Sequence, residues 1–194
     1  MRVKERAASY LAKSQRHTYQ DYLNLPNDGK RYELINGEFV KVAAPFTIHQ
    51  ILSGNIEEEI RAFLKQTQMG IMIHSPIDVV LSETNVVQPD IIFISDDNSN
   101  IIEEKNIKGT PDLVIEILSP STAYYDMIEK KEIYEQFGVK EYWIVDPKKQ
   151  RVEIFELKGN FFELNQRLNS QGTAKSLILQ GFEISLENIF FFIV

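Results

Sequence analysis

Apolar residues at Ile48, Ile51, Leu52, Ile56, Ile60, Phe63 and Leu64 recur at the 3.6-residue period and predict a helix over Ile48–Leu64. Upstream, two β-rich runs, 31–35 and 38–42, are separated by Asn36-Gly37. A type I′ turn needs φ > 0 at both central residues, which this dipeptide supplies, so the segment predicts a hairpin. Pro26-Asn27-Asp28-Gly29 forms a turn cluster just before it. Gly70 marks the end of the helical region, and the runs Ile71–Leu81, Val86–Ser95 and Asp112–Ser119 then read as strands. Within the last, Leu113 to Leu118 is apolar except for one acid, the pattern of a central strand buried on both faces. A second helix is predicted over Tyr124–Phe137, stopped by Gly138. Glu141–Asp146 reads as a strand closed by Pro147, and Val152–Leu157 with Asn160–Leu164 as a hairpin around Lys158-Gly159. Ile178–Ile184 and the apolar run Ile189–Val194 read as the last pieces of the sheet, the latter as a buried terminal strand. The order of strands, helix, strands, helix and strands predicts an α/β (α+β) fold: a central mixed β-sheet flanked by helices, with N-terminal and C-terminal β-hairpins.

The length, 194 residues, fits one domain. Residues 1–20 read as a helical arm and residues 21–194 as the single domain. The net charge of −7 argues mildly against a protein that coats nucleic acid. The charge is uneven: residues 1–31 hold seven Lys/Arg against three Asp/Glu, a net of +4, which leaves −11 for the remainder. A basic arm can touch phosphates; a solvated surface helix is the plainer reading. The chain has no cysteine, which removes a disulfide scaffold, a thiol nucleophile and a cysteine-ligated zinc site, and suits a reducing cytoplasm. Arg2, Lys4 and Arg6 have no apolar run behind them, so no secretory leader is expected, and no stretch approaches the roughly 20 apolar residues of a membrane span.

Candidate chemistry begins with Glu116, set between Ile115 and Ile117 in the most apolar strand. An unpaired buried carboxylate costs several kcal/mol, so Glu116 needs a partner, a metal or a raised pKa; the alternative is an acid that reaches solvent or an arginine from a strand end. Gln88-Pro89-Asp90 interrupts a second apolar run, and proline there implies an edge or a kink from which Asp90 can point into a cleft. Two carboxylates on separate strands suit a hard divalent cation, and magnesium commonly takes one or two of them while keeping waters. In the second predicted helix Asp126, Lys130 and Tyr134 share one face at i, i+4 and i+8. Lys130 can there supply a cation beside a metal-bound water or a phosphate, or form an ordinary surface pair with Asp126.

The ordered set Tyr32-Glu33-Leu34-Ile35-Asn36-Gly37-Glu38, His49, Val87-Gln88-Pro89-Asp90, Pro111 to Ser121 with its Asp112 and Glu116, Asp126, Lys130, Tyr134 and Gly138 to Pro147 resembles the Uma family of "putative restriction endonucleases" over about residues 20–185. The resemblance implies a restriction-endonuclease-like PD-(D/E)XK core. It matches Asp90 to the first metal-binding acid and Glu116 to the second. The usual lysine two residues after the second acid is replaced here by Leu118, and the resemblance moves that function to Lys130. Glu33 matches an N-terminal acid of the superfamily, with a role near the metal. The implied activity is that of a Mg²⁺-dependent endonuclease, with Mn²⁺ as a substitute, acting on DNA.

Asp112 also follows a proline, but it lies four residues from Glu116, about 13 Å along a strand, and reads as a turn or strand-start residue. His49 opens the first helix, with helix-cap, hydrogen-bonding and catalytic roles all open. His17 and His74 have no partners at zinc-ligand spacing. The chain carries neither a Gly-x-Ser-x-Gly elbow nor a P-loop. Two rival readings remain: a catalytically silent nuclease-fold module that binds DNA or a protein, and a metal-free enzyme with two carboxylates such as a glycosidase. Two cuts in duplex DNA are most simply made by a homodimer, with the apolar C-terminal tail and Tyr142-Trp143 as the expected contact surface.

Overall fold

The computed structural model describes residues 16–44, 46–119 and 128–191. A short helix α1 (Tyr19–Leu23) precedes the hairpin β1 (Arg31–Ile35) and β2 (Glu38–Val42). Its turn has Asn36 at φ 52° and Gly37 at φ 82°, as the Asn-Gly pair requires. Helix α2 (Thr47–Thr67) follows and ends on Gln68 in the left-handed conformation. Gly70 lies beyond the end of the helix and opens strand β3 (Gly70–His74). A Cβ there would stand 2.2 Å from the carbonyl oxygen of Ile94, so the close strand pairing requires glycine.

The two runs expected as long strands each divide between two sheets. Ile71–Leu81 becomes β3 and β4 (Val79–Ser82); Val86–Ser95 becomes β5 (Asn85–Val87) and β6 (Ile91–Ser95). The breaks fall at Pro76 and at Gln88-Pro89-Asp90, because proline has no N–H to donate to a ladder. After β7 (Ile107–Lys108) come β8 (Leu113–Ile117), α3 (Lys130–Phe137), β9 (Glu141–Asp146), β10 (Arg151–Lys158) and β11 (Phe161–Asn169). One sheet has the order β2-β1-β5-β4-β7 and the other β11-β10-β9-β8-β6-β3. Both are mixed: β4 with β7 and β8 with β9 are parallel, and the remaining pairs are antiparallel.

Alternation along the six-stranded sheet separates two cores. Ile91, Phe93, Leu113, Ile115, Ile117, Trp143 and Val145 face one way, packing with Leu52, Ile56 and Ile60 of α2. Ile92, Ile94, Val114, Tyr142 and Ile144 face the other, packing with Ile35, Val79 and Val87 of the five-stranded sheet and Ile133 and Tyr134 of α3. Each full burial of such a side chain is worth about 1.5–3 kcal/mol. Strand β8 is central and buried throughout, as its apolar run predicts.

Three expectations need correction. Residues 178–184 do not extend the main sheet; β13 (Glu183–Ser185) pairs with β12 (Thr173–Lys175) in a separate two-stranded sheet. The expected terminal strand begins instead inside α4 (Leu186–Ile189), capped by the Ser185 hydroxyl, whose oxygen accepts from the N–H of Asn188; residues 192–194 lie outside the described residues. Tyr142 and Trp143 are both fully buried, so they offer no contact surface to a second subunit. The proposed arm falls mostly on residues 1–15, outside the described residues, as do 120–127, which hold the first part of the second predicted helix and Asp126. Among the described residues no helix is long and apolar enough to cross a membrane.

Candidate active site

Strand parity decides where Glu116 points. Its neighbours Ile115 and Ile117 face α2, so Glu116 faces α3 and the five-stranded sheet. It is 2% exposed and so needs compensation. Lys130, the first residue of α3, provides it: Nζ lies 3.0 Å from Glu116 Oε1 and 2.9 Å from Glu33 Oε1. Tyr134, one turn later, donates its hydroxyl to the same Glu116 Oε1 at 2.7 Å. Burial, followed by the charge of Glu116, pushes the Tyr134 hydroxyl well above its usual value, so it remains a donor. Lys130 is itself 5% exposed, so its charge is buried and not on the surface; Asp126 lies outside the described residues.

Glu33 enters from β1. Its Oε1 also accepts the main-chain N–H of Gln88 at 2.6 Å, just where the chain leaves the five-stranded sheet at β5. Asp90 follows two residues on, immediately before β6. Its Oδ2 accepts the main-chain N–H of Ile117 at 2.7 Å and lies 3.0 Å from His49 Nε2. His49 stands in the first turn of α2, and its ring engages Asp90.

These side chains line one cavity of about 410 Å³, and the structure thus brings Glu33, Asp90, Glu116 and Lys130 together. Arg31, Lys41, Gln50, Ser53, Gly54 and Glu57 also line it. Glu33, Asp90 and Glu116 set three carboxylates beside the one Lys130 ammonium, and Glu57, Arg31 and Lys41 add one negative and two positive charges to the lining. Among those residues no group of three or more His, Asp or Glu is arranged as a ready-made metal cage. A magnesium ion does not require one, because it binds through one or two carboxylates and keeps waters. The donor chemistry fits such an ion: the hydrogen bonds to Asp90 fall on Oδ2, leaving Oδ1 without a described hydrogen bond on the cavity wall.

Asp112 has a different role. Its Oδ2 accepts from the main-chain N–H and hydroxyl of Ser95 and from Asn98, and its Oδ1 accepts from Lys140. It ties the start of β8 to the end of β6. His17 stacks on Phe39 at 4.4 Å, outside the cavity lining. The sequence reading missed the cavity face of α2, although Ser53 and Glu57 follow His49 at i+4 and i+8, a polar stripe on a helix with an otherwise apolar side. It also missed Arg31 and Lys41, which carried no signal beyond their charge.

The fold matches that of a crystal structure of a "putative nuclease belonging to DUF820" from Anabaena variabilis, with a TM-score of 0.73 over 89% of this chain and 97% of that one, at 19% identity. The protein is therefore an α/β protein with this nuclease-like architecture. Residues 19–187 match the model of the Uma2 family, described as "Putative restriction endonuclease", and the chain belongs to that family. A relative in Synechocystis, the uncharacterised protein sll1609, is 23% identical over 155 residues, covering 79% of this chain and 81% of that protein.

Proposed function

We propose that this protein is a metal-dependent endonuclease that hydrolyses phosphodiester bonds of DNA, with Asp90 and Glu116 holding Mg²⁺ or, in its place, Mn²⁺. The observation that carries the reading is the meeting of Asp90, Glu116 and the buried Lys130 on one cavity wall. A dication supplies Lewis-acid polarisation of a phosphoryl oxygen and lowers the pKa of bound water. Lys130 bridges Glu33 and Glu116 in a buried setting and places positive charge where negative charge grows on phosphorus. His49 and the Ile117 N–H fix one oxygen of Asp90 and so orient the other. Arg31 and Lys41 offer phosphate contacts at the cavity. A homodimer in the reducing cytoplasm completes the reading, tested by light scattering at micromolar protein; a monomer mass would count against two-fold cutting.

Incubation of supercoiled DNA with wild type and Glu116→Ala, prepared in parallel, tests the activity. Wild type should nick DNA with Mg²⁺ or Mn²⁺, best at low ionic strength because the net charge is −7, and chelator should abolish it. Equal cutting by both preparations would mean the activity is a contaminant's.

One observation favours a second reading, a silent DNA- or protein-binding module: Glu116 Oε1 is already engaged by Lys130 and Tyr134. Metal binding without cutting of duplex, single-stranded or supercoiled DNA would select it.

A further inference from the structure

Gly54 lies within α2, exposed and with an ordinary helical φ. Glycine is among the least favourable residues for a helix interior, because it loses the most backbone freedom on folding. Among the described residues neither a left-handed φ nor a close neighbour calls for it. A Cβ at this position meets nothing within 4 Å among the described residues, in contrast with Gly70. Yet Gly54 lines the cavity that holds Asp90 and Glu116, flanked there by Gln50, Ser53 and Glu57 on the same helix. A glycine whose Cβ would meet nothing among the described residues, on the wall of a cavity lined by buried charges, suits close approach of a ligand to the helix backbone.

We propose that the face of α2 at Gly54 is the wall against which a nucleoside of the substrate strand lies, its sugar or base contacting Gln50, Ser53 and Glu57. The proposal rests on the nuclease reading and assigns it a substrate-contact surface. The chemistry of that face selects the part of the strand. Glu57 accepts the Ser53 hydroxyl at 3.0 Å and lies 3.7 Å from Arg61 and 3.8 Å from His74. A carboxylate repels phosphate oxygens but accepts hydrogen bonds from base amino groups or sugar hydroxyls. The phosphate keeps to the side of Lys130, Arg31 and Lys41.

Gly54→Ala and Gly54→Leu, assayed by thermal unfolding and by steady-state cleavage of a labelled DNA oligonucleotide, test the proposal. Gly54→Ala should raise Tm by about 2–4 °C, as relief of an exposed helix glycine does in a chain of this size. Gly54→Leu should keep at least the wild-type Tm yet raise KM roughly tenfold or more, with a smaller effect on kcat, the mark of lost substrate binding. Unchanged KM in Gly54→Leu, or a fall in kcat alone, would overturn the inference. So would a lower Tm in Gly54→Ala, since the space would then be filled by the protein itself. Wild type that does not cut DNA would remove the nuclease reading and this inference together; wild-type cutting with unchanged KM in Gly54→Leu removes this inference alone.

Discussion

Asp90 accepts the main-chain N–H of Ile117, the residue immediately after Glu116, at 2.7 Å. The carboxylate of one candidate metal-binding acid is thereby fixed to the backbone that carries the other. A hydrogen bond to an ionised acceptor is worth about 1.5–3 kcal/mol, and here it aligns β8 with the loop before β6. The pairing of the two acids is thus part of the sheet.

Replacing Asp90 with Asn or Glu116 with Gln should reduce metal-dependent DNA cleavage by roughly 100-fold or more, since each removes one charge from the ion's oxygen ligands. Calorimetric titration with Mn²⁺ should show weaker binding in both variants. Wild-type affinity in Asp90→Asn would exclude that carboxylate as a ligand.

His49→Ala leaves the acids intact but removes the ring beside Asp90 Oδ2. Loss of a partner that orients a ligating carboxylate costs about 10–100-fold in metal affinity or activity. The expected outcome is a weaker Mn²⁺ isotherm with the wild-type Tm nearly kept. An unchanged isotherm would reduce His49 to a packing role.

Lys130→Met should be strongly destabilising, because it leaves Glu33 and Glu116 buried without the ammonium they share. Breaking a buried ion pair from one side typically costs about 3–5 kcal/mol. Urea denaturation at neutral pH reads the loss. A variant of wild-type stability would show that other groups carry the charge of these two acids.

Acid stability should be shaped by two carboxyls with opposite slopes. Burial pushes Asp112 up, but hydrogen bonds from Lys140, Ser95 and Asn98 outweigh it and hold the carboxyl below its ordinary value near 4. The unfolded chain then binds more protons, so the contribution of Asp112 is full above about pH 4 and is lost as pH falls through the depressed folded value. Burial pushes Glu141 the other way, above its ordinary range, against donors from Trp143, Ile178 and Leu177. The folded chain there holds the extra proton, so stability falls as pH rises from about 4 through the raised value. Asp112→Asn should flatten the acid limb of a stability–pH curve, and Glu141→Gln the limb above it. Curves parallel to wild type in both variants would refute these assignments.

Much of the fold was legible in local pattern. The helical period gave α2 to within three residues at either end, Asn36-Gly37 gave the first hairpin, and the apolar run with one acid gave β8 as a central strand. Where the chain crosses between sheets the pattern failed, because β4 and β5 are as apolar as β3 and β6 and periodicity does not say which sheet a strand joins. The closing apolar segment misled for a related reason: a short buried helix and a short buried strand have the same composition.

The sequence alone determined that Glu116 lies in a strand with no solvent-facing side, that Asp90 follows a proline that interrupts a strand, and that Lys130 and Tyr134 share a helix face, because these depend on spacing within single elements. Only the tertiary structure decided their partners. Strand parity turned Glu116 toward α3, the break at Pro89 brought Asp90 against the N–H of Ile117, and the packing of α2 on one face of the six-stranded sheet placed His49 on Asp90 and Gly54 on the cavity wall. Those contacts join residues far apart in the chain, as in the ion pair of Lys130 with Glu33, 97 residues apart (130 − 33), and they form only when both sheets are closed around a common core. A sequence fixes which groups can pair; burial in the closed core decides which of them must.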